Sequence, residues 1–361
     1  MDAVDALVAA ERVQARMKRR RVSALPKYLL VTAARNEEQH LEQTIRAVLE
    51  QTARPVKWII VNDGSTDATA KIIDRYAAST DWITRLDMPT HRDRNFAAKA
   101  YCFNAAWNAV NGLDYEVLGN LDADITFEPD YFEFLLRKFA AIRDLGVAGT
   151  PFLQHGGYDS SRDSFEGENH VAGGCQLFRR RCFEELGGYV PAKGGGVDWI
   201  AVTTARMNGW RTRSFREKRF IHHRPLGTAE RSSLSAFYSY GQKDYCFGGS
   251  AVWEVCRVAY RMSKPPFVVG GLALGAGFLS AAIRRVERPV SPDLMRFHRR
   301  EQMTKLKAIV ETLALLKKLD HFTLRTRSRN SARSAILAMI AGAPLARIET
   351  LAEQLCQWLP Q

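Results

Sequence analysis

The stretch WIIVNDGSTDATAKII, residues 58–73, decides the fold. Its apolar run Trp58–Val61 is followed by the polar turn 62–67 and then by apolar residues at helical spacing. Residues 28–49 show the same order just upstream, with an apolar run, a polar break and a helical pattern. Continuous apolar strands alternating with amphipathic helices are typical of a parallel sheet covered by helices on both faces. We therefore expect an α/β fold with a mostly parallel sheet.

Polar motifs follow the predicted strands at their carboxyl ends. The segment 35–38 follows the first strand, the turn 62–67 follows the second, and Asp122 and Asp124 end a later one. In open α/β sheets, ligands bind at the carboxyl ends of the strands, where the loops gather. We expect these three motifs to face one binding site.

Asp122 and Asp124 are one residue apart in an extended segment. Side chains at i and i+2 point to the same side of an extended chain, so both carboxylates can address one point. Two carboxylates this close repel unless a cation lies between them, and Mg²⁺ or Mn²⁺ on a diphosphate prefers hard oxygen ligands. The pair predicts a divalent cation site, although the spacing alone also suits a solvated turn.

Composition sets the broad class. The chain has 361 residues, of which 46% are hydrophobic and 25% charged, so it is globular and long enough for two domains. Its six cysteines show no metal-type spacing, which suits a reducing compartment. The formal charge is +13, but residues 28–235 contribute only about −1, so the excess lies at the flanks. This distribution argues against nucleic acid as a partner of the core and favours a membrane surface with anionic lipid.

Six segments together resemble glycosyltransferase family 2, whose members have the GT-A fold. They occur in family order and span roughly residues 27–235. The resemblance is closest to inverting enzymes of bacterial cell-surface polysaccharide synthesis. The segments are VTAARNEEQHLEQTIRAVLEQT (31–52), WIIVNDGSTDATAKII (58–73), AAKAYCFNAAW (97–107), NLDADITFEPDYFE (120–133), AGGCQLFRRRCFEELGGY (172–189) and VDWIAVTTARMNGWRT (197–212).

The resemblance implies a set of donor-binding residues. In that family the aspartate of the Asn-Asp-Gly-Ser motif contacts the nucleotide base, which gives this role to Asp63. A carboxylate can accept the imide hydrogen of uracil, so we expect a UDP-sugar. Lys99 would neutralise the diphosphate, although it could also be a solvated helix lysine. The full set is Ala33, Arg35, Glu37, Asp63, Lys99, Asn104 and Asp122.

The resemblance also implies a metal site for Mg²⁺ or Mn²⁺. Asp122 and Asp124 would bind the cation, and related folds often supply a histidine as third ligand. His222 and His223 end a predicted strand that starts at Arg219, and of the two we favour His222 for this role. Its neighbour His223 remains an alternative, since strand alternation gives the two rings opposite faces.

Inversion at the sugar carbon requires a base for the acceptor hydroxyl. Asp198, after the loop Gly194–Gly196, matches the family's base position, and it could also cap the helix that follows. Family members usually carry an acidic residue just before this aspartate, whereas this chain has Val197. Gly173, Gly174 and Trp199 would contact the acceptor, and Trp199 could instead belong to the core.

The chain is expected to divide into four parts. Residues 1–26 form a basic amphipathic helix, and 27–235 the GT-A domain. Residues 236–320 form a basic, membrane-associated helical region, and 321–361 a linker with short helices. Within the third part, residues 267–283 are seventeen uncharged residues with four glycines and basic residues on both sides. This segment could span, re-enter or lie on a bilayer, or be a buried helix, and the flanking charges favour a re-entrant or in-plane segment.

These expectations combine into one function. The chain would be a metal-dependent inverting glycosyltransferase at the cytoplasmic face of the inner membrane, with a lipid-linked or growing saccharide as acceptor. A sugar nucleotidylyltransferase is a rival, but it would need a glycine-rich loop after the first strand, and residues 33–38 contain no glycine. A catalytically silent membrane scaffold is a second rival, favoured only by Val197.

Overall fold

The computed structural model describes residues 25–89, 97–154, 157–162, 167–224 and 233–323. The chain divides into two compact units. The first comprises Met1–Tyr158 and Glu168–Arg224, and the second Asp159–Gly167 and Pro225–Gln361. The helix expected within residues 1–26 and the linker expected within 321–361 fall almost wholly outside the described residues.

The first unit alternates strands and helices over most of its length. Its strands are β1 (Tyr28–Ala34), β2 (Lys57–Asn62), β3 (Ile83–Asp87), β4 (Val117–Leu121), β5 (Ile125–Phe127), β6 (Leu145–Gly149), β7 (Phe152–Gln154), β8 (Cys175–Arg179), β9 (Arg211–Ser214) and β10 (Phe220–His222). Its helices are α1 (Leu41–Leu49), α2 (Thr69–Ser79), α3 (Ala97–Ala109), α4 (Tyr131–Ala141), α5 (Arg180–Leu186) and α6 (Val197–Met207), and Gly167–Asn169 forms a short 3₁₀ turn.

Seven strands form the main sheet, in the order β3-β2-β1-β4-β8-β6-β9. Four neighbouring pairs are parallel: β1 with β2, β2 with β3, β1 with β4, and β6 with β9. Strand β8 is antiparallel to both β4 and β6. The predicted α/β fold is thus confirmed, with a mixed and mostly parallel sheet. A small second sheet has the strand order β5-β10-β7. Its strand β5 is the next strand after β4 in the sequence, and its strand β10 ends at His222.

The apolar runs of the sequence form the core of this unit. Leu30, Trp58 and Ile60 are fully buried in adjacent strands, and Ile45 of α1 is buried in the same core. Burial of each such side chain stabilises the fold by about 1.5–3 kcal/mol. The indole N–H of Trp58 donates to the Thr32 hydroxyl over 3.0 Å, so its one polar atom is satisfied inside the core.

The second unit is helical in its described part. Its helices are α7 (Ser233–Cys246), α8 (Ala251–Met262), α9 (Val269–Ile283) and α10 (Pro292–Thr323), and Ser160–Arg162 forms a 3₁₀ turn. The segment predicted at 267–283 therefore corresponds to α9 and the two residues before it. Among the described residues, no helix has both the length and the apolar character needed to cross a bilayer.

Candidate active site

Three potential metal ligands meet where β4 and β10 end. One ligand atom each from Asp122, Asp124 and His222 lies within 4.8 Å of the others. Asp124 is buried, and its Oδ1 lies 3.7 Å from Nε2 of His222. Strand β10 pairs with β5, which begins directly after Asp124, so pairing of these short strands holds the histidine beside the carboxylates. The structure therefore brings together the three residues that the sequence predicts as metal ligands.

Hydrogen bonding distinguishes the two adjacent histidines. Nδ1 of His222 lies 2.7 Å from the Arg224 carbonyl oxygen, which can only accept a hydrogen bond. Nδ1 is therefore the ring nitrogen that donates to this oxygen, and Nε2 is the one that faces Asp124. His223 points elsewhere: its Nε2 bonds Thr126 Oγ1 over 2.8 Å and its ring stacks on His40. His222 is the ring suited to a metal ion.

The residues fit a divalent cation by their chemistry. Two carboxylates and one neutral imidazole form a donor set that Mn²⁺ accepts readily, while Mg²⁺ favours the oxygen ligands. The pKa of Asp122 is raised, chiefly by burial and further by Asp124, while Lys99 opposes the shift. Like-charge repulsion of this kind is relieved when a cation binds between the carboxylates.

Arg224 connects the metal ligands with the first loop. Its Nε lies 3.8 Å from Oδ2 of Asp124, and its guanidinium forms an ion pair with Glu37. Burial raises the pKa of Glu37 to about 7, a shift that Arg224 opposes and Asp124 increases. Arg224 is not among the site residues predicted from the sequence, although it lies only two residues after the predicted ligand His222. Half-exposed at the site, it supplies positive charge beside the carboxylates.

Lys99 lies on the opposite side of Asp122. Its ammonium forms an ion pair with Asp122 and donates to the Gly173 carbonyl oxygen over 2.9 Å. The same carbonyl accepts a bond of 2.7 Å from Nδ2 of Asn120. Lys99 is therefore held beside the predicted metal ligand Asp122. The alternative interpretation of the sequence, a solvated helix lysine, does not describe it. A cation on a long side chain at this point can pair with phosphate oxygens.

Asp198 approaches the same site from α6. It is the second residue of that helix, whose first turn follows Gly196 in the left-handed conformation at φ 83°. A Cβ built on Gly173 would lie 2.7 Å from Oδ2 of Asp198, and a Cβ on Gly174 would lie 3.7 Å from Oδ2 of Asp122. Two consecutive glycines thus separate the predicted base from the predicted metal ligands.

Tyr189 lies near the carboxylates of Asp198 and Asp122, and it was not predicted from the sequence as a site residue. Its pKa is well above the ordinary value, mainly because of burial and further because of Asp198 and Asp122. The buried hydroxyl donates to Oε1 of Gln176 over 2.8 Å. No simple motif predicts this residue, since it reaches the site only through the pairing of β8 with β4 and β6.

Arg35 and Asp63 follow adjacent parallel strands at the other part of the site. Nη1 of Arg35 lies 3.9 Å from Oδ2 of Asp63, and Asp63 is buried. The thiol of Cys102 on α3 lies beside Asp63, and burial together with that carboxylate raises the thiol pKa to about 12. Ala33 is the only half-buried residue of β1, whose other residues are buried. These residues line the end of the sheet predicted to hold the nucleotide base.

The loops after β1 and β2 are tied to each other. Oδ1 of Asn36 accepts a bond of 2.8 Å from the Thr66 amide, and the amide of Glu37 donates to Thr69 Oγ1 over 2.8 Å. Asn36 has a φ of 55°, a left-handed conformation that asparagine tolerates better than most residues. The two loops therefore hold Arg35 and Asp63 on a common, pre-formed support.

Asn104 was predicted to contact the donor and Trp199 the acceptor, and the structure shows where each side chain lies. Asn104 forms two hydrogen bonds with the main chain of Tyr189, accepting from its amide over 2.9 Å and donating to its carbonyl over 2.8 Å. The role of Asn104 in the structure is to fix α3 to the turn before Tyr189, and its direct contact with a donor remains a prediction. Trp199 is partly exposed in the first turn of α6, so it is not a fully buried core residue.

Comparisons with known proteins identify a family for this domain and structures with a similar fold. The family model described as "Glycosyl transferase family 2" matches residues 30–187. The 4,4'-diaponeurosporenoate glycosyltransferase of Staphylococcus aureus is 28% identical over 120 residues, which are 33% of this chain and 29% of that protein. The match thus spans less than a third of that relative.

Two solved structures resemble this one at low sequence identity. Mannosyltransferase PcManGT from Pyrobaculum calidifontis, in complex with GDP-Man and Mn²⁺, has a TM-score of 0.50 at 18% identity, with 81% of each chain covered. S. aureus TarS 1–349, in complex with UDP-GlcNAc, has a TM-score of 0.48 at 12% identity, covering 75% of this chain and 79% of that one. The first similarity supports a GT-A-like fold.

Proposed function

Because residues 30–187 form a domain of glycosyltransferase family 2, we propose that this protein transfers a sugar from a nucleotide-sugar donor to a hydroxyl group of an acceptor. One observation carries the proposal: Asp122, Asp124 and His222 could hold one cation between them, and Lys99 and Asp198 both lie against Gly173 next to these residues. This arrangement supplies both halves of a displacement reaction, stabilisation of the leaving group and activation of the nucleophile.

The leaving-group half consists of the ligand set and two cationic side chains. When bound, Mg²⁺ or Mn²⁺ would offset the charge of the departing nucleoside diphosphate. Lys99 and Arg224 lie beside Asp122 and Asp124 respectively, so they can pair with phosphate oxygens at the same place. Asp63 and Arg35 would hold the base, with uracil favoured as the imide donor to Asp63.

The nucleophile half depends on Asp198. Its carboxylate would accept the proton of the acceptor hydroxyl as that oxygen attacks the anomeric carbon and the bond to the diphosphate breaks. Attack from the face opposite the leaving group inverts the configuration at this carbon. Gly173 leaves room for Asp198 to approach, and Trp199 beside it offers an aromatic face for an acceptor sugar. We propose a lipid-linked or growing saccharide as the acceptor, at the cytoplasmic face of the inner membrane.

A donor screen tests the transferase proposal. The full chain is incubated with UDP- and GDP-sugars in Mn²⁺, in Mg²⁺ or in chelator, and release of nucleoside diphosphate is measured. We expect release with one donor class, dependence on the cation, and a loss of about a hundredfold or more in Asp124→Asn. The matched control is Asp74→Asn, since Asp74 is an exposed aspartate that forms an ion pair with Arg85 on the surface.

Cation binding is measured separately by calorimetric titration with Mn²⁺. Wild type and Asp74→Asn are expected to bind the ion alike, whereas Asp124→Asn loses most of the affinity. Equal turnover in wild type and Asp124→Asn, or release that persists in chelator, would refute the metal assignment. Release of pyrophosphate from a nucleoside triphosphate and a sugar phosphate would instead favour a nucleotidylyltransferase.

A further inference from the structure

Helix α8 of the second unit buries charged side chains and exposes aliphatic ones, which is unusual for a helix in water. Its charged residues face inward: Glu254 is 5% exposed, and the Arg257 side chain is 13% exposed. Two of its valines face outward instead, with Val252 at 58% and Val255 at 69% exposure. A helix on the surface of a soluble protein normally presents the reverse pattern, with the apolar stripe toward the core.

The inward charges of α8 have partners within the second unit. Arg257 forms an ion pair with Asp244 of α7, and its Nη1 lies 3.8 Å from Oε2 of Glu254. Trp253, which directly precedes Glu254, is also buried. The orientation of α8 is therefore fixed by a buried ionic cluster, and rotating the valines inward would expose this cluster and break its pairs.

Helix α9 divides into two opposite faces. One face is made of small residues and is buried against α7 and α8: a Cβ on Gly271 would lie 2.7 Å from the Val258 carbonyl oxygen, and a Cβ on Gly277 would overlap the Tyr238 backbone. The hydroxyl of Tyr238 also donates to Ser280 over 2.7 Å. The opposite face is exposed and wholly apolar, with positions at helical spacing: Val269, Leu272, Ala276, Leu279 and Ile283.

The two exposed faces border one seam between α8 and α9. The seam is marked by Val258 and Gly275, where a Cβ would lie 3.3 Å from Val258 Cγ2. Residues three or four positions from a seam residue lie on the same side of a helix. Val255 and Leu272 each lie three positions before a seam residue, and Leu279 lies four after Gly275. We call this combined surface the lipid face, and its members are Val252, Val255, Ala259, Val269, Leu272, Ala276, Leu279 and Ile283.

We propose that the lipid face is a docking surface for an anionic bilayer, with α9 lying in the plane of the interface. Charge supports this occupant over a second copy of the chain. No acidic residue occurs between Glu254 and Glu287, while this interval contains Arg261, Lys264, Arg284 and Arg285 in addition to the inward-facing Arg257. Arg284 and Arg285 are exposed at the carboxyl end of α9. Basic residues at the ends of an apolar face attract anionic headgroups and repel an identical basic surface.

The position of α9 in the unit also sets its orientation to lipid. Its glycine face is packed against α7 and α8, so only one side of the helix is free to meet hydrocarbon. A helix that offers lipid one side lies along the interface, whereas a spanning helix offers lipid or protein contacts along its whole length. This inference concerns the second unit alone and does not depend on the transfer reaction.

Vesicle binding tests the proposal with the full chain. Purified protein is sedimented with vesicles of phosphatidylcholine, pure or mixed with about 30% phosphatidylglycerol. We expect binding to the anionic vesicles, little to the neutral ones, and a loss at high salt. The double variant Leu272→Asp/Leu279→Asp is expected to bind about tenfold or more weakly. Its matched control is Val56→Asp/Leu113→Asp, because both residues are comparably exposed aliphatic side chains of the first unit, at 41% each.

The charge contribution is tested by Arg284→Gln/Arg285→Gln, for which we expect a loss of about tenfold on anionic vesicles. The control is Arg54→Gln/Lys71→Gln, exposed basic residues of the first unit. Circular dichroism verifies folding, and Val252→Ser/Val255→Ser on α8 provides a milder second test of the apolar face. Wild-type binding by both lipid-face variants would overturn the proposal. So would concentration-dependent dimerisation that these variants abolish, because the face would then be covered by a second copy.

Discussion

Buried charged groups have different roles in the two compact units. In the first unit, Asp122 and Asp124 direct lone pairs at one point together with His222, and cations flank them. In the second unit, Asp244 and Glu254 are buried around Arg257, and each carboxylate is turned toward that guanidinium. Burial of a carboxylate therefore does not by itself mark a site. Convergence of several ligand atoms on one point does, whereas a closed ionic cluster fixes the orientation of helices.

The largest effect is expected from Asp198→Asn in the first unit. The amide keeps the size of the side chain but cannot accept the acceptor proton, so transfer should fall by about a hundred- to ten-thousandfold. Donor affinity and Mn²⁺ affinity should stay near wild type, because Asp198 is separated from the metal ligands by Gly173 and Gly174. Steady-state kinetics with the donor identified by screening provide the measurement, and Asp74→Asn is the control.

Transfer by Asp198→Asn at the wild-type rate would leave the reaction without its base. Val197 cannot replace it, since the residue before Asp198 is aliphatic in this chain. A loss of Mn²⁺ binding in this variant would mean that Asp198 belongs to the ligand set, and the boundary between the two halves of the site would then be wrong.

The next effect concerns the closed cluster. Arg257→Met removes the cation and leaves Asp244 and Glu254 buried together, which should destabilise the second unit by about 3 kcal/mol. Hydrogen exchange of the amides in Ala251–Met262 measures this directly, because it reports local opening. Arg296→Met is the control, since its pair with Asp293 is exposed and should contribute less than about 1 kcal/mol. Equal protection in both variants would show that the cluster does not hold α8.

A pH dependence should distinguish the units further. Burial, with the help of Asp244, raises the pKa of Glu254 from 4.5 to about 7. Between these pH values the folded state holds a proton that the unfolded state has lost, so the free energy of unfolding falls as the pH rises. The change should be about 2 kcal/mol after allowing for the coupling with Asp244.

Glu254→Gln should remove this dependence. Hydrogen exchange of α8 in wild type and variant, compared at pH 5 and pH 8, checks the prediction: the variant should gain protection relative to wild type as the pH rises. A constant difference between the two proteins across this range would contradict the shift. Glu311→Gln is the control, because Glu311 of α10 is an exposed carboxylate that lies 3.8 Å from the Lys307 ammonium at the surface.

How far the sequence predicts these features depends on the range of the contacts. Strands β1, β2 and β4 and helices α1 and α2 follow from apolar runs and periodicity, whereas β3 was not predicted. Parallel pairing alone brings the loops at Arg35, Asp63 and Asp122 to one edge. Local patterns could not choose between His222 and His223, because the choice depends on hydrogen bonds to Arg224 and Thr126. They also could not reveal the inward charges of α8, since amphipathic periodicity gives the faces of a helix but not which face meets a neighbour.

The smallest of these effects tests how closely the halves of the site are fitted. Gly173→Ala would place a methyl group 2.7 Å from Oδ2 of Asp198 and 3.0 Å from its Cβ and Cγ. Because the clash involves atoms near the backbone of α6, Asp198 must shift, and transfer should fall about tenfold while Mn²⁺ affinity is kept. Gly194→Ala is the control, since nothing lies within 4 Å of a Cβ there. A normal rate in Gly173→Ala would mean that the base tolerates displacement, and that the glycine pair is not what positions Asp198 beside the metal ligands.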